Sequence, residues 1–303
     1  LFRSEDVIAG ISLYRPGPMD FIPQYIRGKN RPDTIHYDCP QLEPILKATH
    51  GCIVYQEQVM QIVQSLAGFT LGRSDLLRRA MSKKKLNVME KERQAFVYGN
   101  EAEGVPGCIK NGIDEKIANK IYDEMIDFAQ YAFNKSHAAA YAYVTYQTAF
   151  LKYYYPVEYM AALMTSVIDK PTKVAEYIQV CRQMNIPILP PDINKGEYGF
   201  SVSGGSILYA LSAIKSVGRP VIEAIVAERK EHGEYLSVKN FIERNMEAVN
   251  KRAIENFIKA GALDCLEGNR HQKMVVFGQI VDDISRNKKQ SMAGQLSLFD
   301  IAS

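Results

Sequence analysis

The sequence predicts a mainly α-helical protein with one small β-hairpin. Apolar residues recur three or four positions apart over most of the chain, as at Ile117, Ile121 and Met125, and this spacing places them on one helix face. Strict alternation is confined to about residues 197–211, where Gly204-Gly205 separates two short β-patterned runs. No repeat is long enough to indicate a solenoid. We therefore expect packed helices rather than layered sheets.

Proline and glycine divide the N-terminal half into turns and helices. The first segment reads as loop-rich, and residues 14–19 form an extended, turned piece because proline restricts its own φ and the backbone before it. A helix is predicted over residues 55–67, ending at Gly68. Ser74 is predicted to cap the next helix, and a charged helix follows over residues 87–99.

The later predicted helices share a polar cap or a proline at the start and an apolar face along their length. The first begins at Asp114, and the second runs from a Ser136 N-cap to about residue 155. Two more cover residues 159–167 and 173–184, and short helices with tight turns follow over residues 219–267. From Arg286 the chain is polar and weakly patterned. A poorly structured, exposed tail is therefore expected at the end.

Length and composition bound the class of protein. The 303 residues are 47% hydrophobic with a net charge of +3, so the chain can build a core and is not a polybasic arm. No apolar run approaches the roughly 20 residues that span a bilayer, and no signal-peptide pattern is present. The chain begins at Leu1 and is expected to be a piece of a longer cytoplasmic protein without a membrane segment. Five scattered cysteines are expected to be reduced thiols.

One helical stretch concentrates positive charge. Its cations are Arg78 and Arg79 and, one turn later, Lys83, Lys84 and Lys85. Only Asp75 lies close upstream, so a triphosphate or a nucleic-acid backbone is the natural counterpart of these side chains. The alternative is a solvated basic face that binds nothing in particular.

A second block resembles an anion site. It consists of Asn134, Lys135, Ser136 and His137. If Ser136 caps the helix, free N–H groups and the positive helix end lie beside the lysine and the histidine. Tyr141, four residues after His137, shares its face and is available to stack on a base or a sugar. The alternative is an ordinary capped helix with a solvated lysine and a core tyrosine.

Residues 211–220 resemble a helix-hairpin-helix motif. Its glycine-centred hairpin presents N–H groups to a phosphate, and Pro220 suits the first turn of the following helix. A degenerate second copy, without the hairpin glycine, covers residues 250–263. The alternative is a helical turn that only packs. The predicted DNA contacts are Lys215, Gly218 and Arg219 in the first copy and Lys251 and Arg252 in the second.

Two further observations concern partners and chemistry. Gln295, Leu296, Leu298 and Phe299 form a short aliphatic and aromatic peptide suited to docking in a pocket, or to a terminal helix that packs on its own domain. No Asp-x-Asp pair, phosphate-binding glycine loop or nucleophile elbow occurs, and the five histidines lack ligand spacing. We therefore predict no catalytic or metal-binding residue in this chain.

These blocks, in this order, resemble the bacterial DNA polymerase III alpha subunit family, the replicative C-family polymerases. The resemblance covers essentially the whole chain. Its carrying residues are Leu13-Tyr14-Arg15-Pro16-Gly17-Pro18, Gly51-Cys52-Ile53-Val54-Tyr55-Gln56-Glu57-Gln58-Val59-Met60, residues 76–85, residues 133–141, Leu189-Pro190-Pro191-Asp192-Ile193-Asn194 and residues 295–299.

The resemblance implies a division of labour. Residues 1–196 would be the polymerase fingers, residues 197–269 the β-hairpin with tandem helix-hairpin-helix, and residues 270–303 a helix or linker with a peptide for the sliding clamp. Nucleotide binding would fall to Arg78, Arg79, Asn134, Lys135, Ser136, His137 and Tyr141, and DNA-backbone binding to Lys83, Lys84 and Lys85. The family's catalytic aspartates lie in the palm, upstream. The isolated chain is therefore expected to be inactive, and Mg²⁺ to be bound outside it.

The expected partners are primer-template DNA, dNTP, the beta sliding clamp and other replicase subunits such as proofreading or clamp-loader components. Two other interpretations stay open. The first is a non-enzymatic DNA-binding adaptor tethered to the clamp, which would not need Arg78, Arg79 and Lys135 for dNTP. The second is an error-prone paralogue of the same family, against which the intact peptide at residues 295–299 argues.

Overall fold

The prediction of a mainly α-helical protein is confirmed. The computed structural model describes residues 3–83, 85–129 and 131–300, with side chains except those of Ala129 and residues 289–300. These residues form fifteen α-helices and one three-stranded sheet. The chain divides into two compact units between Gln147 and Thr148. The predicted division at residue 196 follows function rather than packing and stays a prediction.

The first unit is built of helices joined by short 3₁₀ turns. They are α1 (Ser4–Leu13), α2 (Ile22–Asn30), α3 (Glu43–Leu46), α4 (Gln56–Ala67), α5 (Leu71–Ser82), α6 (Leu86–Tyr98), α7 (Gly107–Lys110), α8 (Glu115–Ala129) and α9 (Lys135–Tyr154), which continues past the unit boundary. The N-terminal segment holds two of these helices, so the expectation of a loop-rich start is wrong there. Residues 14–19 do form the predicted turned piece between α1 and α2.

Helix α4 supplies the centre of the first core. Val59, Ile62 and Leu66 are at most 1% exposed, because their three- and four-residue spacing turns one face inward. Buried side chains of α5, α6 and α8 pack around them, and Tyr122 of α8 also donates its hydroxyl to the Met89 carbonyl at 2.7 Å. Gly68 ends α4 with a φ of 75°, in the left-handed conformation that glycine adopts without strain.

Two predicted N-caps, Ser74 and Ser136, are wrong. Thr70 caps α5 by accepting the Arg73 N–H at 3.3 Å, while Ser74 lies inside the helix and donates its hydroxyl to the Thr70 carbonyl. Thr70 has the extended backbone that a cap needs, so α5 begins four residues before the predicted start. Ser136 likewise lies inside α9, which begins at Lys135.

The second unit combines helices with the sheet. Its elements are α10 (Pro156–Ser166), α11 (Pro171–Gln183), β1 (Ile188–Leu189), β2 (Ser201–Ser203), β3 (Ser206–Leu208), α12 (Arg219–His232), α13 (Val238–Asn245), α14 (Lys251–Ala260) and α15 (Arg270–Asp300). The predicted hairpin is confirmed as β2 and β3, which pair antiparallel with Val202 opposite Ile207. Strand β1 was not predicted; it adds in parallel to β3, where Ile188 faces Ile207.

Two clusters of buried side chains lie in the second unit. One joins the sheet to α10 and α11 through Met164, Cys181 and Ile207, each fully buried. The other joins α12 to α15, with Phe241 and Phe257 at its centre. The rings of these phenylalanines meet edge to face at 6.0 Å between centroids, a favoured aromatic geometry. The turns between these helices are therefore anchored to a packed apolar core.

The C-terminal region corrects one expectation. Helix α15 runs from Arg270 to Asp300, so its backbone includes the segment predicted as a poorly structured tail. Buried Lys273 fixes the start of this helix by donating to the Leu263 and Leu266 carbonyls at 2.8 and 2.9 Å. None of the helices in the described ranges is both long and apolar enough to cross a membrane.

All five cysteines are free, as expected. Burial raises the pKa of the Cys52 thiol to about 11 and that of Cys108 to about 12. Both thiols are therefore protonated at neutral pH and behave as small apolar core groups.

Candidate functional site

The two arginines of α5 share one carboxylate. Arg78 donates from Nε and Nη2 to Asp75 Oδ1 at 3.0 and 2.7 Å, and Arg79 Nη2 lies 2.7 Å from the other oxygen. The Arg78 side chain is only 21% exposed, whereas that of Arg79 is 62% exposed. Hydrogen bonding from Arg78 lowers the pKa of Asp75, so this carboxylate is charged at neutral pH.

Gln56, the first residue of α4, connects Arg78 to the turn that precedes α9. Its Oε1 accepts from Arg78 Nη1 at 3.0 Å, and its Nε2 donates to the Ala132 carbonyl at 3.1 Å. Its backbone N–H donates to the Phe133 carbonyl at 3.0 Å, within a parallel β-bridge between Tyr55 and Phe133. Arg78 and the start of α9, more than fifty residues apart in the chain, are thereby linked.

The neighbouring Glu57 occupies the start of α9. Both of its carboxylate oxygens accept the Lys135 backbone N–H, at 3.1 and 3.0 Å. Asn134 is the N-cap, since its Oδ1 accepts the His137 N–H at 2.9 Å. The predicted Ser136 cap is therefore wrong, and Ser136 is an exposed residue of the first turn. A carboxylate of the protein itself lies where a bound anion was predicted.

The Lys135 side chain is also engaged. Its ammonium lies 3.2 Å from the Glu5 carboxylate of α1 and 5.3 Å from the centre of the Tyr55 ring. Lys83 and Lys85, at the end of α5, are exposed and form no ion pair with any described residue. Lys84 lies outside the described residues.

Three aromatic rings, those of Phe133, His137 and Tyr141, lie in a row at the start of α9, and this row is called the ladder. The rings of Phe133 and His137 are 5.3 Å apart, and those of His137 and Tyr141 are 4.8 Å apart. The prediction that His137 and Tyr141 share a helix face is thus confirmed, and Tyr141 is 55% exposed. The Arg15 guanidinium stacks at 4.3 Å from the Phe133 centroid and closes the inner end of the ladder.

The turn between α1 and α2 contacts Tyr131, close to the start of this ladder in the chain. Arg15 Nη2 donates to the Tyr131 carbonyl at 2.7 Å. Gly17 has a φ of 99°, and a Cβ there would lie 2.5 Å from the Tyr131 ring. Only glycine fits this conformation and this contact. The turn therefore fixes the segment that leads into α9.

Sequence reasoning missed Arg15, Gln56 and Glu57 as site residues. All three stand in blocks that carry the family resemblance, which was the one available signal. None belongs to a local charge cluster or a recognisable cap, so no short-range pattern singles them out.

The first helix-hairpin-helix copy lies between a 3₁₀ turn at Leu211–Ala213 and α12. The left-handed residue of the hairpin is Ser216, with a φ of 63°, whereas Gly218 is extended and serves as the N-cap. The hairpin is therefore not centred on the glycine as predicted. The N–H groups of Gly218 and Arg219 have no hydrogen-bond partner among the described residues.

The cations of this hairpin differ in their surroundings. Lys215 is exposed and makes no ion pair with the described residues. Arg219 donates to Glu223 at 2.7 Å and stacks 4.8 Å from the centre of the Tyr198 ring. The hairpin thus presents one uncommitted lysine, one paired arginine and two unpaired N–H groups.

The predicted second copy, residues 250–263, comprises α14 and the residues beside it. Asn250 caps α14 by accepting the Ala253 N–H at 2.9 Å. The Lys251 ammonium lies 2.6 Å from Asp282 of α15, while Arg252 is exposed. Asn256 of α14 donates to the Lys215 carbonyl at 2.9 Å and so ties the two copies together.

The segment between β1 and β2 is held in place by contacts with α12 and with the residues that follow it. Buried Arg229 of α12 donates to the Ile193 and Gly196 carbonyls at 2.9 and 2.8 Å. Asn194 exchanges two hydrogen bonds with the Tyr235 backbone, at 2.9 and 2.8 Å. This part of the family-like pattern holds the helices of the second unit in place.

The predicted clamp-binding peptide and the question of a metal site remain. The side chains of Gln295, Leu296, Leu298 and Phe299 lie outside the described residues, although their backbone belongs to α15. Within the described ranges, no cluster of three or more histidine, cysteine, aspartate or glutamate side chains has the arrangement of a metal site.

Two segments of the chain match known protein families. Residues 3–104 match the family described as the bacterial DNA polymerase III alpha subunit finger domain, and residues 185–273 match a helix-hairpin-helix motif. Over 98–99% of its length, the chain is 46% identical to the DNA polymerase III subunit alpha of Chlamydia trachomatis and 45% identical to that of Thermus aquaticus. It spans 24% of the length of each of these relatives.

Proposed function

Residues 3–104 of this chain belong to the finger-domain family of bacterial DNA polymerase III alpha subunits, and on that premise we propose that the chain is the fingers and DNA-binding portion of a bacterial replicative DNA polymerase. The first unit binds the incoming dNTP, and the second binds the primer-template duplex. The carboxylates that perform the chemistry lie elsewhere in the full-length protein.

One observation carries the nucleotide-binding role. Gln56 and Glu57 stand side by side at the start of α4 and reach Arg78 and the Lys135 backbone, respectively. The Arg78 guanidinium and the start of α9, which carries Lys135, therefore lie beside adjacent residues of α4, although the sequence separates them. Planar guanidinium forks and a lysine point charge together suit the oxygens of a triphosphate.

The geometry suggests how these side chains act. Arg78 is half-buried and anchored by Gln56 on one edge, so its fork is oriented before a ligand arrives. A nucleotide whose phosphates meet Arg78, Arg79 and Lys135 would have the exposed Tyr141 ring near its base or sugar. The contribution of these residues is positioning and charge stabilisation rather than bond chemistry.

The helix-hairpin-helix supports the DNA-binding role. The free N–H groups of Gly218 and Arg219, with the Lys215 ammonium, offer a phosphate three donors that read no base sequence. Arg252 and the exposed lysines after α5 add further backbone contacts. Lys251 contributes less, because Asp282 already holds its charge.

Two parts of the proposal depend on the family alone. The peptide at residues 295–299 is assigned to the sliding clamp because of its aliphatic and aromatic anchors. The Mg²⁺ of the full-length enzyme is assigned to palm residues outside this chain, as the family resemblance implies.

Titration of the chain with dATP tests the nucleotide-binding role. Arg78→Ala and Lys135→Ala are each expected to weaken binding about tenfold, the usual effect of losing a charge-assisted hydrogen bond. Lys116→Ala is the matched control, because this exposed lysine of α8 forms no ion pair with the described residues. Equal effects in all three variants would contradict the proposed site and leave the adaptor interpretation.

A further inference from the structure

Asp75 and Glu5 pair with cations of the proposed triphosphate site, Glu57 accepts the first N–H of α9, and we infer that these three carboxylates set the charge that a ligand must carry to bind. They act as tethered competitors that a triphosphate displaces and a monophosphate does not. The inference rests on the proposed function and adds to it a determinant of specificity.

The cations proposed to meet a triphosphate already have carboxylates beside them. The cations are Arg78, Arg79 and Lys135, and the carboxylates are Asp75 and Glu5. The oxygens of Asp75 divide between the two arginines, and Glu5 pairs with the lysine ammonium. Each of these three cations therefore has a carboxylate partner before a ligand enters, although the sequence reads as strongly basic.

Each carboxylate occupies a position suited to a phosphate. Asp75 takes donors from two guanidinium groups, as a phosphate would. Glu57 takes the first N–H of α9 with both oxygens, at the positive end of the helix dipole. Two phosphate-like positions on either side of the Gln56–Glu57 pair are thus filled by the protein itself.

The pairs are weak enough to exchange. Arg79 is 62% exposed, and the side chains of Lys135 and Glu5 are 36% and 45% exposed, so water and salt screen these contacts. Exposed ion pairs stabilise a protein by at most about 1 kcal/mol. A triphosphate brings several charges at once, whereas a single phosphate carries about −1.5 to −2 at neutral pH and gains little over the carboxylate that it replaces.

The experiment compares isosteric variants in one binding assay. Asp75→Asn and Glu57→Gln each remove one negative charge, and the amide oxygen of the introduced glutamine can still accept the Lys135 N–H. Asp33→Asn is the charge-matched control, because Asp33 is 73% exposed and is paired only loosely, at 3.9 Å, with Arg31. Sodium tripolyphosphate and sodium phosphate are titrated into each variant by calorimetry, and thermal unfolding confirms the fold.

The expected result has two parts. Asp75→Asn and Glu57→Gln bind tripolyphosphate at least about threefold more tightly than the wild type and than Asp33→Asn, which matches the loss of one exposed ion pair. Both also bind orthophosphate measurably, so the preference for tripolyphosphate over orthophosphate narrows. Binding of orthophosphate by Asp75→Asn, with no orthophosphate binding by the wild type, supports the same conclusion.

Two results overturn the inference and are distinguishable. If Asp75→Asn and Glu57→Gln behave like Asp33→Asn while Arg78→Ala still abolishes binding, the carboxylates do not compete, but the proposed nucleotide site stands. If no variant binds tripolyphosphate, or if Arg78→Ala leaves binding unchanged, the inference fails together with the proposed nucleotide-binding function.

Discussion

Gln56 and Glu57 are adjacent in the chain but serve opposite sides of the candidate site. Gln56 orients the Arg78 guanidinium, and Glu57 binds the backbone at the start of α9. Neither is a cation, yet together they determine where the cations lie. At the scale of single residues, the site therefore depends on neutral and acidic neighbours as much as on the basic residues that the sequence makes conspicuous.

Gly17 is a second residue whose role is positional, and we predict that Gly17→Ala destabilises the protein by about 1–3 kcal/mol. The substitution forces alanine into a positive φ and drives its Cβ into the Tyr131 ring. Urea denaturation followed by far-UV circular dichroism measures the loss. Gly10→Ala in α1 is the control, because a Cβ there meets nothing within 4 Å. Equal stability of the two variants would refute the buttress role of Gly17.

Among the secondary-structure elements, α9 shows how tertiary contacts decide which residue is the N-cap. The β-bridge between Tyr55 and Phe133 keeps the chain extended up to Asn134. The helix can therefore begin at Lys135, and the residue before it becomes the cap. Ser136 has an equally suitable side chain but comes two residues too late, which is why the sequence-based choice of cap is wrong.

This arrangement predicts unequal effects of two alanine substitutions on α9. Asn134→Ala removes the acceptor of the His137 N–H and is expected to cost about 1 kcal/mol, the usual loss for an N-cap. Ser136→Ala is expected to change stability by less than about 0.5 kcal/mol, as at most exposed positions. Thermal unfolding of both variants measures the difference, and a larger loss in Ser136→Ala would return the cap to the serine.

For the molecule as a whole, the two proposed tasks fall in two compact units. The cations of α5 and α9 belong to the first unit, and the hairpin cations belong to the second. Each unit has its own buried core, which supports the surface proposed for its task.

Binding of duplex DNA by the second unit should show this division. Affinity is expected to fall steeply between about 50 and 200 mM salt, because phosphate contacts release counterions. Lys215→Ala is expected to lower the salt slope by about one, and Lys251→Ala by less, because Asp282 neutralises Lys251. Fluorescence anisotropy with a duplex of arbitrary sequence measures both slopes. Salt-independent binding, or a larger effect of Lys251→Ala, would contradict the assignment.

Local sequence patterns alone predict the helical class, the end of α4 at Gly68 and the hairpin around Gly204-Gly205. They also predict that His137 and Tyr141 share a helix face. Each of these follows from residues within about one helical turn or one hairpin of each other, whose spacing can be seen directly in the chain. The family-like blocks likewise predicted a polymerase finger domain, and residues 3–104 match the finger domain of bacterial DNA polymerase III alpha subunits.

How the charges of the site are paired depends on the fold, because some of the partners lie far apart in the chain. Lys135 meets Glu57 across 78 positions and Glu5 across 130. The position of Asn134 as the cap depends on a β-bridge between equally distant segments. Periodicity and capping rules describe local backbone preference, whereas an ion pair between distant residues depends on the path of the chain between them. Arg78, Arg79 and Lys135, which stand out in the sequence as cations, therefore each have a carboxylate partner in the folded protein, and the partner of Lys135 is 130 positions away.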